Sequence, residues 1–250
     1  MTRYIAVISG KGGVGKTTTT INLGVALKNF GKSSVIVDAN TITPNIGLHL
    51  GIPPSPINFN SVLNGKAELG DVITTHESGI KIVPAALSVL ESVNNFSVDF
   101  REALSPLDGK ADFVLLDCGA GLWGQIAKAT KASDEVLVIT NPELPALVDA
   151  LKSIKMAEKL GVSLRGIVLN KVGGNGYAVR DDTIKGILNG YKIISEVPYD
   201  KNVTRSVNLR KPLVSFKPYS PAARSFRKLA ADLSGMQYKE SFWEWIFGII

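Results

Sequence analysis

A glycine-rich stretch near the start of the chain carries the clearest chemistry in the sequence. It runs Gly10-Lys-Gly-Gly-Val-Gly-Lys-Thr-Thr18 and follows the apolar residues 4–8. A glycine, four residues and then Gly-Lys-Thr, placed between a strand and a helix, is the pattern of a loop that binds phosphate groups. Its glycines let successive N–H groups point at one anion, and the helix N-terminus adds positive charge. The residues predicted to contact the phosphates are Gly12, Gly13, Val14, Gly15, Lys16, Thr17 and Thr18.

Two further features predict a magnesium site beside these phosphates. Lys16 is expected to reach the outer phosphates, and the Thr17 hydroxyl is expected to hold Mg²⁺. Asp117 ends the apolar run 113–117. An acidic residue at the end of a buried strand near a phosphate loop can hold a water molecule bound to the metal. We therefore predict Thr17 and Asp117 as the metal residues, although an aspartate at a strand end is also commonly a helix cap.

The composition limits the class of protein. The chain has 250 residues, no low-complexity tract and one cysteine, Cys118. A single cysteine excludes an intrachain disulfide and a Cys-x-x-Cys metal or cluster site, and it points to a reducing compartment. No apolar run approaches the roughly 18 residues that would span a bilayer. We therefore expect a cytoplasmic protein of one domain with a short appendage, and an iron–sulfur carrier is excluded.

Apolar runs alternate along the chain with helical patterns, as expected for β-α-β units. Several of the runs are continuous Val, Ile and Leu, which is typical of strands covered on both faces. The sequence therefore predicts an α/β fold with a doubly wound, mainly parallel sheet and helices on both faces. It also predicts a P-loop domain over residues 1–235 and a tail over residues 236–250. The predicted strands are residues 4–9, 34–38, 81–83, 113–117, 135–140, 163–170 and 192–197, and the predicted helices are residues 16–29, 61–64, 122–131, 144–160, 180–188, 203–209 and 221–233.

A lysine at the second position of the loop makes the motif more specific. In the form Lys-Gly-Gly-x-Gly-Lys-Thr-Thr, residues 11–18 resemble the deviant Walker A loop of the MinD/ParA family of P-loop ATPases. The resemblance covers about residues 1–233 and implies ATP and Mg²⁺ as ligands, ATP hydrolysis, and a homodimer that forms on ATP binding. It also implies that Lys11 crosses to the nucleotide of the partner subunit. The alternative for Lys11 is an exposed lysine in a loop.

The segment Asp38-Ala-Asn40 resembles the family's switch I, which is usually Asp-x-Asp. Asp38 matches, as does Asn45, but Asn40 does not. In the family, the carboxylate at this place positions and polarises the attacking water, whereas an amide can accept a hydrogen bond but cannot take a proton. With Lys11, Lys16, Asp38 and Asn40 as the catalytic residues, we predict slow hydrolysis. The alternatives are that Asn40 orients the water adequately, or that hydrolysis is abolished and the protein is an ATP-bound dimeric scaffold.

Four residues further along the chain resemble the family's base-binding positions. Asn170-Lys171 resembles the adenine-reading asparagine and its neighbour, and Pro198 and Asp200 lie in a turn similar to the family's Pro-x-Asp turn. The resemblance implies that Asn170, Lys171, Pro198 and Asp200 contact adenine. GTP is less favoured because Asn170-Lys171 lacks the downstream aspartate of a guanine-reading motif.

The positive charge of the chain is concentrated in one segment. Residues 201–228 contain eight Lys or Arg and no Asp or Glu, while the whole chain has a net charge of +6. Such a segment indicates an anionic partner, either nucleic acid or lipid headgroups. ParA-type relatives bind DNA nonspecifically through basic residues near the C-terminal helices, so DNA is an alternative partner. A solvated face without a partner is the other alternative.

The last residues of the chain have an unusual pattern. If residues 242–250 form a helix, Phe242, Trp245, Ile246 and Ile249 share one face. Such a helix is too short to span a membrane but can lie in its interface. The tail resembles the membrane-targeting sequence of MinD-type proteins, although those tails are usually basic and this one carries Glu240 and Glu244. The alternative is that it docks on its own domain or on a neighbouring subunit.

Together these features predict a MinD-like, ATP-dependent switch that positions a partner protein. We expect it to be cytoplasmic and reversibly peripheral at the inner face of the cell membrane. No local motif identifies the protein cargo, an activating partner, or the process, which in this family includes cell division, chemotaxis and motility.

Overall fold

A computed structural model describes residues 1–87, 96–174 and 179–238 of the chain. These residues form a mainly parallel sheet with helices on both faces, which confirms the predicted doubly wound α/β fold. Helix α11 ends at Ser234, and Gly235 follows it with a φ of 69°. Most of the predicted tail lies outside the described residues, so the division into domain and tail stays a prediction.

The strands are β1 Arg3–Ser9, β2 Ser34–Asp38, β3 Thr74–Thr75, β4 Lys81–Val83, β5 Phe113–Ala120, β6 Glu135–Thr140, β7 Ser163–Val172 and β8 Ile193–Pro198. The helices are α1 Lys16–Asn29, α2 Ile46–Leu50, α3 Phe59–Leu63, α4 Leu69–Val72, α5 Phe100–Leu104, α6 Gln125–Lys131, α7 Leu144–Lys159, α8 Asp181–Leu188, α9 Lys201–Asn208, α10 Leu213–Phe216 and α11 Pro221–Ser234.

The strand order places β1 in the middle of the sheet. The order is β3-β4-β2-β5-β1-β6-β7-β8, and neighbouring strands are parallel except for the pair β3 and β4. The chain therefore crosses to one side of β1 through α1 and later returns to its other side at β6. Ligands of open α/β sheets bind outside the carboxyl ends of the strands where the order reverses in this way. The loop after β1 lies at that point.

Alternate residues of β1 enter two separate cores because successive side chains of a strand point to opposite faces. Tyr4, Ala6 and Ile8 join the core that α3 to α8 cover. Ile5 and Val7 join the core beneath α1, α2, α10 and α11. With both faces of the strand buried, its sequence is a continuous apolar run rather than an alternating one.

Helix α1 packs closely on the sheet because Gly24 lacks a side chain. A Cβ atom at Gly24 would lie 2.7 Å from Cδ1 of Ile36 on β2. Helix α11 packs beside α1 and on β8, and the backbone N–H of Val214 on α10 donates to Oδ1 of Asn22 on α1 at 2.9 Å. These contacts fix the N-terminus of α1 relative to the sheet.

The sequence missed short elements and placed three helix starts, those of α3, α6 and α9, two or three residues from their observed positions. Among the described residues, α2, α4, α5, α10 and β3 were not predicted, and each has at most five residues, too few for a periodic pattern. The helix predicted from residue 122 begins only at Gln125, because Gly121 and Gly124 both have positive φ and hold the preceding turn out of the helix. Within the described part of the chain, every helix is too short or too polar to cross a membrane.

Candidate functional site

The phosphate loop joins β1 to α1 and encloses one side of a cleft of about 440 Å³. Gly13 and Gly15 have φ values of 76° and 100°, which glycine adopts at little cost. A Cβ atom at Gly15 would also lie only 2.2 Å from Nδ2 of Asn170. The cleft is lined by Gly12, Gly13, Gly15, Lys16, Thr17, Thr18, Asn40, Thr43, Asn45, His49, Cys118, Gly119 and Ala120.

Lys16 supplies a buried positive charge at the base of this cleft. The residue is 8 % exposed, and its Nζ donates to Oγ of Ser9 at 2.8 Å. Burial lowers the pKa of Lys16, and the nearby Asp117 carboxylate opposes that shift. A poorly solvated ammonium gains more than an exposed one from pairing with phosphate, because it has little hydration to lose.

Thr17 and Asp117 lie together, as the metal prediction requires. Oγ1 of Thr17 donates to Oδ2 of Asp117 at 2.6 Å, and Oγ1 of Thr20 lies 3.3 Å from Oδ1. Asp117 is fully enclosed, and burial raises its pKa to about 6, against the hydrogen bonds from Thr17 and Thr20 and the charge of Lys16. Thr20 was not predicted, although its spacing of three residues from Thr17 places both on one face of α1.

A second buried carboxylate lies beside Asp117. Asp38 ends β2 and is the register partner of Asp117 on β5. It accepts the backbone N–H groups of Asn45 and Ile46 at 3.0 Å and of Asn40 at 3.2 Å. Burial, together with the charge of Asp117, raises the pKa of Asp38 well above its usual range. In the structure, Asp38 therefore holds the loop that follows β2.

The donor set at this position suits a hard divalent cation. The available ligands are the carboxylate and hydroxyl oxygens of Asp117 and Thr17, which Mg²⁺ prefers. Among the described residues, no group of three or more His, Cys, Asp and Glu could form a metal site of its own. Mg²⁺ commonly binds through one or two protein oxygens together with substrate phosphates and water. The residues present therefore fit magnesium bound together with a phosphate ligand.

Asn40 lies at the mouth of the cleft with its amide engaged by Thr43. Its Nδ2 donates to the carbonyl oxygen of Thr43, and its Oδ1 accepts the N–H of Thr43 at 3.2 Å. A Cβ atom at Gly119 would lie 3.1 Å from this Oδ1. The loops after β2 and β5 therefore meet at Asn40 and Gly119, beside the predicted position of the outer phosphate.

Lys11 lies at the rim and pairs with a residue of its own chain. Its Nζ lies 2.6 Å from Oε2 of Glu143, with side chains 41 % and 53 % exposed. The hydrogen bond from Lys11 lowers the pKa of Glu143. Glu143 directly precedes α7 and carries no motif that would have revealed it. The predicted contact of Lys11 with a second subunit's nucleotide stays a prediction.

The four residues predicted to bind adenine lie at the ends of β7 and β8. Nδ2 of Asn170 donates to the carbonyl of Val14 at 2.7 Å, and Nζ of Lys171 donates to the carbonyl of Gly13 at 2.8 Å. Both residues thus support the phosphate loop from below. Pro198 ends β8, and Asp200 caps α9 by accepting the N–H of Asn202 at 2.8 Å. Their contacts with a base stay predictions.

Thr43 and His49 line the cleft but were not predicted; they come from the loop after β2 and from α2. Ser9, the last residue of β1, was also not predicted, and it contacts Lys16 rather than the cleft itself. Sequence reasoning could have found Ser9, because it immediately precedes the phosphate loop. The positions of Thr43 and His49 depend on how residues 39–50 fold across the cleft.

Comparisons with known proteins agree with this site. Residues 5–213 match the family model described as CobQ/CobB/MinD/ParA nucleotide binding domain. The chain is 34% identical over 245 residues to an ATP-binding protein of Methanocaldococcus jannaschii, covering 95% of this chain and 92% of that one. It is 30% identical over 253 residues to the septum site-determining protein MinD of Thermotoga maritima, with 94% and 89% covered. The solved structure of the septum site-determining protein MinD of Pyrococcus horikoshii, complexed with Mg-ADP, superposes with a TM-score of 0.88 at 32% identity, covering 93% of this chain and 96% of that one.

The match to the family model covers residues 5–213, which include the phosphate loop, residues 38–40 and the strands β2 to β8. The fold, the loop and the sequence comparisons lead to the same assignment. The chain belongs to the CobQ/CobB/MinD/ParA family of nucleotide-binding domains and is a MinD/ParA-like P-loop ATPase.

Proposed function

We propose that this protein is a MinD-like switch that binds Mg-ATP, dimerises on binding it, hydrolyses it slowly, and positions a partner protein at a membrane surface. MinD proteins are among its relatives at 30% identity or more, and these are named for determining septum sites. That likeness supports a role in cell division or in the positioning of another structure.

The site supports Mg-ATP as the ligand. Lys16 would neutralise part of the negative charge of the phosphates, and Thr17 and Asp117 would hold Mg²⁺. The bound ion would stabilise the negative charge that develops on the phosphate oxygens during hydrolysis. The Pyrococcus relative was solved with Mg-ADP, and its identity of 32% extends over nearly the whole fold. Asp38 would keep the loop after β2 against the nucleotide, because its carboxylate accepts three backbone N–H groups from that loop.

The geometry of Asn40 carries the proposal of slow hydrolysis. At the mouth of the cleft, this residue presents an amide, which cannot take a proton from water. Both ends of the amide are already bonded to Thr43, which leaves the nitrogen without a role toward the attacking water. A missing general base costs about 10² to 10⁴ in rate. We therefore expect an ATP-bound state that lasts long compared with that of relatives with an aspartate.

A single-turnover measurement of phosphate release tests this point. Asn40→Asp should release phosphate about 10² to 10⁴ times faster than the native chain. Asn64→Asp, at the end of α3 and outside the cleft, is the matched control and should leave the rate unchanged. Thermal unfolding of both variants would show that they fold. An Asn40→Asp rate equal to the native rate would refute the proposed role of Asn40, and absence of turnover in the native chain would favour an ATP-bound scaffold.

The proposed membrane anchor is the tail, through Phe242, Trp245, Ile246 and Ile249. Partial burial of four large apolar side chains, less the cost of ordering a helix, gives about 4–5 kcal/mol, or roughly millimolar affinity. Two tails on one ATP-bound dimer would gain about 10²-fold or more through effective concentration. Dimerisation would thus make membrane binding depend on ATP.

Co-sedimentation with neutral vesicles tests the anchor in the full chain. Trp245→Glu should abolish ATP-dependent pelleting, because it places a charge on the apolar face. Ile57→Glu is the control, since Ile57 is an exposed apolar residue in a loop, 42 % exposed. Equal pelleting by all three proteins would exclude the tail as the anchor.

A ParA-type DNA-binding function is the second candidate, and the basic segment 201–228 is the observation that favours it. Nonspecific DNA binding through phosphates would fall steeply with salt. A filter assay with duplex DNA at low and high salt measures this directly.

A further inference from the structure

Helices α9 and α10 pack against each other, and these helices with the turns after them carry five cations. The five are Lys201, Arg205, Arg210, Lys211 and Lys217, and we call them the basic surface. All five are exposed, and the ion pairs of the described residues include none of them. Glu77 lines the same cleft as Lys211. With no Asp or Glu among residues 201–228, the surface remains strongly positive.

Helix α9 shows how the charges come to face outward together. Its half-buried and buried positions, Val203 and Ser206, lie on the side toward the domain, and its exposed positions, Lys201 and Arg205, lie one turn apart on the opposite side. The chain then passes through Leu209, which is 52 % exposed. A ridge of cations with an exposed leucine beside it has the composition of a surface that contacts lipid headgroups.

The path of the chain after α11 brings the tail to the same layer of helices. The N–H of Met236 donates to the carbonyl of Ala231 at 2.9 Å, so the chain turns back on the helix. The ring of Tyr238 lies 5.8 Å from Cζ of Arg227 and 5.5 Å from Nζ of Lys228, both in the middle of α11. The described part of the chain therefore ends along α11, which packs against α10.

The charge of the tail does not attract it to an acidic membrane. Residues 239–250 contain one Lys and two Glu, giving a net charge of −1. Such a segment can insert through its apolar side chains, but it is repelled by anionic headgroups. The exposed cations of the folded domain can supply the electrostatic attraction that the tail lacks.

We propose that the basic surface binds the anionic headgroups of a phospholipid membrane beside the inserted tail. This inference rests on the proposed function, because it assumes that the tail brings the domain to a membrane. Lipid is favoured over nucleic acid because DNA phosphates offer no apolar phase for the tail or for Leu209. Each cation within reach of an anionic leaflet raises binding about fivefold, and the effect decays within a Debye length.

The test compares ATP-loaded, full-length protein on two kinds of vesicle, one of phosphatidylcholine alone and one of phosphatidylcholine mixed with phosphatidylglycerol. The variant is Lys201→Gln/Arg205→Gln/Lys211→Gln. The control is Lys66→Gln/Lys110→Gln/Lys185→Gln, which removes the same charge from exposed lysines of other surfaces. We expect the native chain and the control to prefer acidic vesicles, and the first variant to lose about 10²-fold of its affinity for them. Binding to neutral vesicles should be equal in all three.

Three results would overturn the inference. The first is that the triple variant at 201, 205 and 211 keeps the native preference for acidic vesicles, and the second is that the control loses as much affinity as that variant. The third is that the variant loses binding to duplex DNA while its vesicle binding stays native, which would assign the surface to nucleic acid. If the native chain ignores neutral vesicles but its binding to acidic ones depends on these three residues, the tail anchor fails while the basic surface stands.

Discussion

Replacing Asp117 with Asn should stabilise the protein in the absence of nucleotide and metal. Asp117 and Asp38 are register partners on adjacent strands, and both carboxyl groups are buried. Lys16 is the cation that lowers the pKa of Asp117. Burial disfavours the charged carboxylate of Asp117 more than Lys16 and the hydrogen bonds favour it, so an amide of the same shape should be better tolerated.

The size and direction of the effect follow from the pKa of Asp117. Burial raises it from 3.8 to about 6. At 1.36 kcal/mol per unit, this corresponds to about 3 kcal/mol of destabilisation when the group is ionised. Because the folded state binds more protons than the unfolded state between these values, the free energy of unfolding falls as pH rises from about 4 to about 6 and stays low above that. The hydrogen bond from Thr17 already contributes to this pKa, so we expect the full gain of about 3 kcal/mol at neutral pH.

Thermal unfolding of ligand-free protein across this pH range measures the gain. For a chain of this size, about 3 kcal/mol raises Tm by roughly 6–12 °C. The difference between Asp117→Asn and the native chain should be near zero at the acidic end and largest at neutral pH. Addition of Mg-ATP should reverse the order, because only the native chain would keep its full metal site.

Asp112→Asn provides a control of opposite sign. Asp112 is exposed, and its carboxylate accepts hydrogen bonds from the backbone N–H and the hydroxyl of Ser33 at 2.7 and 2.9 Å. These bonds lower the pKa of Asp112. Its ionised form stabilises the fold above the unfolded pKa, and that contribution is lost as pH falls. The variant should therefore lose stability at neutral pH. A constant difference between Asp117→Asn and native at all pH values, or a less stable Asp117→Asn at neutral pH, would refute the reasoning.

Two further predictions concern the phosphate loop and its rim. Gly15→Ala should lower Tm and abolish nucleotide binding, because its Cβ would lie 2.2 Å from Nδ2 of Asn170. A Cβ at Gly13 would meet no atom within 4 Å, so Gly13→Ala has only backbone strain to overcome. Gly13→Ala should therefore lose less than Gly15→Ala in thermal unfolding and in a titration with fluorescent ATP. Equal losses would show that the contact with Asn170 is unimportant. Lys11→Gln should leave the affinity for ATP within a few-fold of native and abolish ATP-dependent dimerisation, measured by light scattering. Glu143→Gln is the control and should leave dimerisation intact, because its exposed ion pair with Lys11 contributes at most about 1 kcal/mol. A Lys11→Gln chain that still dimerises with ATP would contradict the predicted role of Lys11 across the interface.

Much of the fold could be predicted from the sequence because the longer elements carry strong local signals. The apolar run at the start of the chain predicted β1 within one residue, and the helix after the phosphate loop matched α1 at both ends. The end of α11 followed from Gly235, which adopts the left-handed conformation that ends helices. The short α2 was missed, since its five residues are placed by the Asp38 carboxylate and by packing against α1 rather than by their own pattern.

The sequence by itself determined the chemistry of the site. Gly15, Lys16 and Thr17 form the phosphate motif, Lys11 makes it specific to one family, and Asn40 departs from that family's switch. Each of these signals lies within a short segment, so it can be recognised from residues that are neighbours in the chain.

Tertiary structure alone decided which of these residues meet. The strand order places β5 between β1 and β2, and this brings Asp38 beside Asp117 and raises the pKa of both. The same sheet carries Asn170 to the underside of the phosphate loop, where it contacts Val14. Sequence periodicity reports which face of a segment is buried, but strand order depends on how whole helices pack over the sheet, and that packing is shared among residues far apart in the chain.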